Sequence, residues 1–129
     1  MTTILLVDDE PLILMDLEFA AEDRGCTCLC AATLQQALAH VEEAGDTLDV
    51  AVLDVSLTDG DTCLPIAREL EQRGIPYVIH SGDLDRQDEV IRSLDVPRLA
   101  KPTCSDRVIA AALDEIAPAD EPEKQRAAG

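Results

Sequence analysis

Five short strand-like runs, most of them wholly apolar, alternate with stretches of helical spacing, and this alternation limits the fold of the chain more than any other feature. Ile4–Val7 ends at Asp8, Val50–Leu53 ends at Asp54, and Cys26–Ala31, Tyr77–Ile79 and Arg98–Ala100 complete the set. After Pro11, a residue suited to a first helical turn, Ile13, Leu17, Ala20 and Ala21 fall on one helical face, and Gly25 stops that helix. Thr33 is placed to cap a second helix carrying Leu34, Leu38 and Val41 and ending near Gly45. Cys63, Ile66, Ala67 and Leu70 mark a third, stopped by Gly74. Val90, Ile91 and Leu94 hint at a further helix behind the polar stretch Leu84–Glu89, and Ile109, Ala112, Leu113 and Ile116 mark the last.

Runs that are continuously apolar rather than alternating belong to strands covered on both faces. Strands alternating with helices pair in parallel through right-handed crossovers. The expected fold is α/β: a doubly wound, five-stranded parallel sheet of flavodoxin-like order 2-1-3-4-5 with helices on both faces. A chain of 129 residues has room for one such domain, expected over residues 1–117. The remaining residues, 118–129 (PADEPEKQRAAG), carry almost nothing to bury and are expected to be a disordered tail.

Charge narrows the functions open to this fold. Twenty-seven acidic residues against ten Lys and Arg leave a net −17. A phosphate backbone needs a basic stripe, so nucleic acid is excluded as a partner, and anionic membrane surfaces are disfavoured in the same way. No apolar run approaches the roughly 20 residues of a membrane-spanning helix. The N-terminal MTTILLVDDE lacks a basic segment ahead of its apolar residues, which points to a cytoplasmic protein without membrane insertion. Five cysteines without CxxC or Cys/His spacing form neither a disulfide framework nor a zinc site. Cys26, Cys28 and Cys30 would share one face of a strand, where small buried hydrophobes are expected rather than soft-metal ligands.

The polar residues at the strand ends carry the chemistry. Asp8 and Asp9 follow the first strand, Asp54 the third, Ser81 the fourth and Lys101 the fifth. Ligands of open α/β sheets bind beyond the carboxyl ends of the strands, where the strand order reverses. This order sets strands one and three side by side, so Asp8, Asp9 and Asp54 should converge. Two carboxylates about 4 Å apart repel by roughly 4 kcal/mol at an effective dielectric near 20. Three must therefore protonate, separate or take a cation. Oxygen-only donors open to water suit Mg²⁺, with Mn²⁺ as the other ion such a site accepts. With Lys101 and Mg²⁺ neutralising phosphoryl oxygens, Asp54 could attack phosphorus and form an aspartyl phosphate, with a hydrogen bond from Ser81. Taken singly, each residue has a plainer reading: a solvated turn Asp, a Lys-Pro turn, a Ser-Gly loop, or an acidic pair at the N-terminus of the helix begun by Pro11. Their joint placement on successive strand ends is what points to a site.

ILLVDDE, LDVSLTDGD, IHSGD and LAKP, in that order, resemble the receiver domain of bacterial two-component response regulators, over essentially residues 3–117. The resemblance implies Asp54 as phosphoacceptor, with Asp9 binding Mg²⁺ directly and Asp8 acting largely through water. It also implies the Ser56 backbone carbonyl as a third metal contact, Ser81 as the switch hydroxyl and Lys101 on the phosphoryl group, followed by a cis Lys101–Pro102 bond. The segment LDVSLTDGDTCLPIARELEQRGIPYVIHSGD is similar to a subgroup named for a Phe-Ala-Thr-Gly-x-Tyr stretch, replaced here by Ile79-His80-Ser81-Gly82-Asp83-Leu84. Receivers usually carry Tyr or Phe three residues before the lysine; Arg98 stands there, and the only aromatics in the chain are Phe19 and Tyr77. The stretch from Ser81 to Lys101 is also about two residues shorter than is common in the family, in keeping with its weak helical signal. The switch is therefore expected to read out through Ser81–Leu94.

Among the remaining polar residues, His80 is expected to be a partly buried strand-end histidine rather than a phosphohistidine or metal ligand, and His40 to be solvated. Asp83 and Ser56 flank the approach of a hydrolytic water and are expected to tune autodephosphorylation. The expected function is that of a single-domain response regulator. It takes a phosphoryl group from a histidine kinase or phosphotransfer protein, catalyses nothing beyond its own phosphorylation and dephosphorylation, and signals to a downstream protein by contact. The alternative is a phosphate sink or kinase-occupying adaptor with no effector of its own. A small phosphohydrolase is disfavoured because Val55-Ser56 follow Asp54, with no second acid two residues on to protonate a leaving group. A receiver-like domain that never takes phosphate would not need the acids, hydroxyl and lysine together.

Overall fold

Each of the five expected runs is a strand of one parallel sheet, ordered β2-β1-β3-β4-β5 as the spacing predicts. The computed structural model describes residues 2–57, 60–82 and 94–116. Its elements are β1 (Thr3–Val7), α1 (Pro11–Asp23), β2 (Thr27–Ala31), α2 (Leu34–Ala44), β3 (Val50–Leu53), α3 (Leu64–Gln72), β4 (Tyr77–Ser81), β5 (Arg98–Ala100) and α4 (Ser105–Asp114). The expected helix around Val90 and Ile91, Asp83 and the C-terminal segment 118–129 lie outside the described residues.

The continuous apolar runs have a simple geometric cause. Successive strand residues point to opposite faces, and here both faces are covered. Leu5, Val7, Ala51, Leu53, Tyr77 and Ile79 pack under α2 and α3 with Ala37, Val41, Ile66 and Leu70. Ile4, Leu6, Val50, Val52 and Val78 pack under α1 and α4 with Leu17, Ala21, Val108 and Ile109. Each fully buried Leu, Ile or Val contributes about 1.5–3 kcal/mol relative to exposure, so two cores flank one sheet.

Local signals stop the helices where the glycines stand. Gly25 (φ +82°) and Gly74 (φ +71°) take the left-handed conformation, which costs glycine nothing. After Gly25 the Cys26 N–H donates to the Ala21 carbonyl at 3.0 Å, and after Gly74 the Ile75 N–H donates to that of Leu70 at 2.9 Å. Both ends are Schellman caps. Thr33 caps α2 as expected, its hydroxyl accepting from the Gln36 N–H at 3.1 Å. Gly45 matters through space instead: a Cβ there would overlap the Arg73 guanidinium and lie 2.6 Å from the Val41 carbonyl oxygen. The arginine can swing aside, whereas the carbonyl is held in α2. Gly45→Ala is expected to cost about 1–3 kcal/mol, measured by urea unfolding.

Several details differ from expectation. β2 begins at Thr27, leaving Cys26 buried just before it. Cys26, Cys28 and Cys30 do share one side, against the α1/α4 core. Burial pushes the Cys28 and Cys30 thiols up, to about 11 and about 12, so both stay protonated near neutrality. β4 runs on to Ser81 because Ile79, His80 and Ser81 pair with Arg98, Leu99 and Ala100. His40 is half-buried rather than solvated, its Nε2 lying 3.0 Å from the Cys30 carbonyl.

Candidate functional site

The register of the central strands brings the acids together. Val7 of β1 is paired with Leu53 of β3, so Asp8 and Asp54 each leave the sheet one residue later, side by side. Backbone bonds carry the ladder past the strand ends: the Asp54 N–H donates to the Val7 carbonyl at 2.9 Å and the Asp8 N–H to that of Ala31 at 3.1 Å. One carboxylate oxygen from each of Asp8, Asp9, Glu10 and Asp54 lies within 4.8 Å of the others. On the β4–β5 side the Lys101 N–H donates to the Ser81 carbonyl at 2.9 Å, which hands Lys101 toward the same crevice.

Lys101 is the hub. Its Nζ lies 3.0 Å from Asp8 Oδ2, 3.0 Å from Glu10 Oε1 and 3.5 Å from Asp54 Oδ2. The contact with Asp8 is an ion pair off the line of a hydrogen bond; that with Glu10 is aligned. Asp8 is 1% exposed and Asp54 5%. Burial, reinforced by the Asp8 charge and only partly offset by Lys101, pushes the Asp54 carboxyl up to about 7. Carboxylates packed this closely around one ammonium need more positive charge. The donors fit a hard divalent cation: all are oxygens, and the buried Asp8 Oδ2 has no hydrogen-bond donor among the described residues. Asp8, Asp9 and Asp54 would hold it.

Of the residues expected at the site, the structure gathers Asp8, Asp9, Asp54 and Lys101. Ser81 is buried at the end of β4, beside Ala100 in the register. Ser56 stands exposed two residues past Asp54, its backbone bridged to Thr62. The Lys101–Pro102 bond is cis, as the resemblance implies. Glu10 is the residue that sequence reasoning missed. The signal was the third acid of Asp8-Asp9-Glu10, directly ahead of Pro11: the position just before α1 turns its side chain back over the strand ends. His80 is more deeply buried than expected, 3% exposed, with neither ring nitrogen hydrogen-bonded among the described residues. Burial, then the Lys101 charge, lower its pKa and favour the neutral ring. Arg98 takes the family's aromatic position on β5, exposed, with its guanidinium donating to the Leu94 carbonyl at 3.1 Å.

The chain is similar to known proteins. The KDP operon transcriptional regulatory protein KdpE of Escherichia coli is 34% identical over 91 residues, 70% of this chain; the chain spans only 39% of that protein's length. SdrG from Sphingomonas melonis Fr1 is 41% identical in sequence and superposes with a TM-score of 0.73, over 90% of this chain and 96% of its own. A response regulator receiver domain protein from Clostridium thermocellum is 26% identical with a TM-score of 0.76, over 93% of this chain and 98% of its own. The chain belongs to the receiver-domain family of response regulators. No family model matches the sequence. In this receiver the acidic pocket is the cluster of Asp8, Asp9, Glu10 and Asp54, with Lys101 at its mouth. No helix among the described residues is long and apolar enough to cross a membrane.

Proposed function

We propose that this receiver is a cytoplasmic response regulator that accepts a phosphoryl group on Asp54 from a histidine kinase or phosphotransfer protein and signals through protein contacts. The observation that carries this reading is the convergence of Asp54, buried at the end of β3, with Asp8, Asp9 and the Lys101 ammonium. Asp54 attacks phosphorus, the bond from phosphorus to the donor nitrogen or oxygen breaks, and the leaving group departs with that electron pair. Lys101, 3.5 Å from Asp54 Oδ2, neutralises phosphoryl charge as it arrives. A divalent ion, Mg²⁺ or Mn²⁺, supplies further positive charge when bound by Asp8, Asp9, Asp54 and the Ser56 carbonyl. Ser81 serves as the hydroxyl that follows the phosphoryl group. Beyond taking and losing its own phosphoryl group the chain is not an enzyme.

Two further features support output by protein contact. A net charge of −17 opposes direct contact with nucleic acid. Leu12, Met15 and Phe19 stand exposed on α1 at three- and four-residue steps, an apolar stripe on one helical face.

Incubation with acetyl phosphate and Mg²⁺, followed by mapping of the modified peptide, should place one phosphoryl group on Asp54. Chelating the metal should stop the reaction; modification elsewhere, or none with any phosphodonor, would sink the reading. A pull-down with the phosphoryl-mimicked protein separates the outputs: a state-dependent partner beyond the kinase supports signalling, and capture of the kinase alone identifies a phosphate sink.

A further inference from the structure

Glu10 lies in the acidic pocket but is not among the residues assigned to the metal or the phosphoryl group, yet it makes the one aligned side-chain hydrogen bond described for Lys101. Its Oε1 accepts from Lys101 Nζ at 3.0 Å, and the same ammonium lies 3.0 Å from Asp8 and 3.5 Å from Asp54. The backbone of Glu10 is held on both sides: its N–H donates to Asp8 Oδ1 at 2.9 Å, and its carbonyl accepts from the Leu14 N–H at 3.0 Å. Only the side chain, 60% exposed where that of Lys101 is 13% exposed, has room to leave. Of the three donors of the ammonium, one is aligned on Glu10, and Asp8 and Asp54 lie beside it as ion-pair partners. A phosphoryl oxygen on Asp54 competes with Glu10 for the ammonium, and the exposed Glu10 is the partner that can withdraw to water.

We infer that Glu10 is a positioning residue that holds the Lys101 ammonium at the mouth of the pocket and competes with the incoming phosphoryl group for it. Glu10 also adds a negative charge that an anionic phosphodonor must approach and that a divalent cation is drawn to. Its two effects therefore run in opposite directions: it slows phosphoryl acceptance and strengthens metal binding. The inference rests on Asp54 being the phosphoacceptor.

The test compares the parent chain with Glu10→Gln and Glu10→Asp. With acetyl phosphate at saturating Mg²⁺, Glu10→Gln should be phosphorylated roughly three- to tenfold faster, while its apparent Mg²⁺ affinity falls by a similar factor. A general loss of structure would lower both. Glu10→Asp keeps the charge but is one methylene too short for the contact, so it should gain rate with little change in Mg²⁺ affinity. In the unphosphorylated, metal-free proteins the Lys101 side-chain NMR resonance should shift in both variants. A parent that takes no phosphoryl group fails the reading of Asp54 and takes this inference with it. A phosphorylated parent beside variants of unchanged rate and unmoved Lys101 resonance overturns the role of Glu10 alone.

Discussion

Asp54→Asn is expected to remove phosphoryl acceptance completely and, in the same protein, to make the metal-free fold more stable at pH 8. The first effect follows because an amide offers no anionic oxygen to phosphorus. The second follows from the cost of the carboxylate in its native place. In the unfolded chain an Asp ionises near 3.9; folded, burial and the Asp8 charge push Asp54 up to about 7. A raised folded pKa means that the stability associated with this group is fully present below about pH 4. It is lost as pH rises through about 7, because the folded state resists giving up the proton. Above that range the penalty is constant, on the order of 3 kcal/mol once the coupling to its neighbours is discounted. Urea unfolding followed by circular dichroism, with chelator present, should show the variant more stable than the parent at pH 8 and the two nearly equal at pH 4. Saturating Mg²⁺ should narrow the gap at pH 8, since only the parent retains the full carboxylate set. A variant no more stable than the parent in chelator would mean that Asp54 is better solvated than its 5% exposure indicates.

The next largest effect is expected from Lys101→Gln, which keeps most of the length and the hydrogen-bonding end but not the charge. Lys101 is the cation held against Asp8, Glu10 and Asp54. Without it a dianionic donor meets carboxylates alone. Removal of one preorganised charge-stabilising group from a transition state typically costs ~10²–10³-fold in rate, and a loss of that size in phosphorylation by acetyl phosphate at saturating Mg²⁺ is expected. The fold should survive, because the backbone bond from Lys101 to Ser81 does not depend on the side chain. Parent-like thermal unfolding would show that the loss is chemical. A rate within a fewfold of the parent would remove Lys101 from the reaction.

How far the sequence reaches is clearest at the strands. Val50-Ala51-Val52-Leu53 allows no exposed face, so a buried parallel strand, and hence Asp54 at its carboxyl end, follows from local pattern alone. Asp8 follows from Ile4–Val7 by the same reasoning. Gly25 and Gly74 marked helix ends because only their conformation permits the turn. The extension of β4 through His80 and Ser81 was not legible: those residues join the strand because β5 offers backbone partners, and β5 lies 17 residues further along. The contact of His40 in α2 with the Cys30 carbonyl of β2 was likewise not legible, because it joins two separate elements.

The amino-acid order on its own determined the strands and helices, the layering they require and the identity of the acids and lysine at the strand ends, because hydrophobic period and breaker residues act over one element at a time. Three-dimensional packing alone decided how charge is shared there: that Lys101 reaches three carboxylates, that Glu10 is among them, and that Asp54 is buried deeply enough to hold its proton near neutrality. Coulombic and desolvation energies depend on distance and burial between residues far apart in the chain, such as Glu10 and Lys101, and no local pattern encodes either quantity.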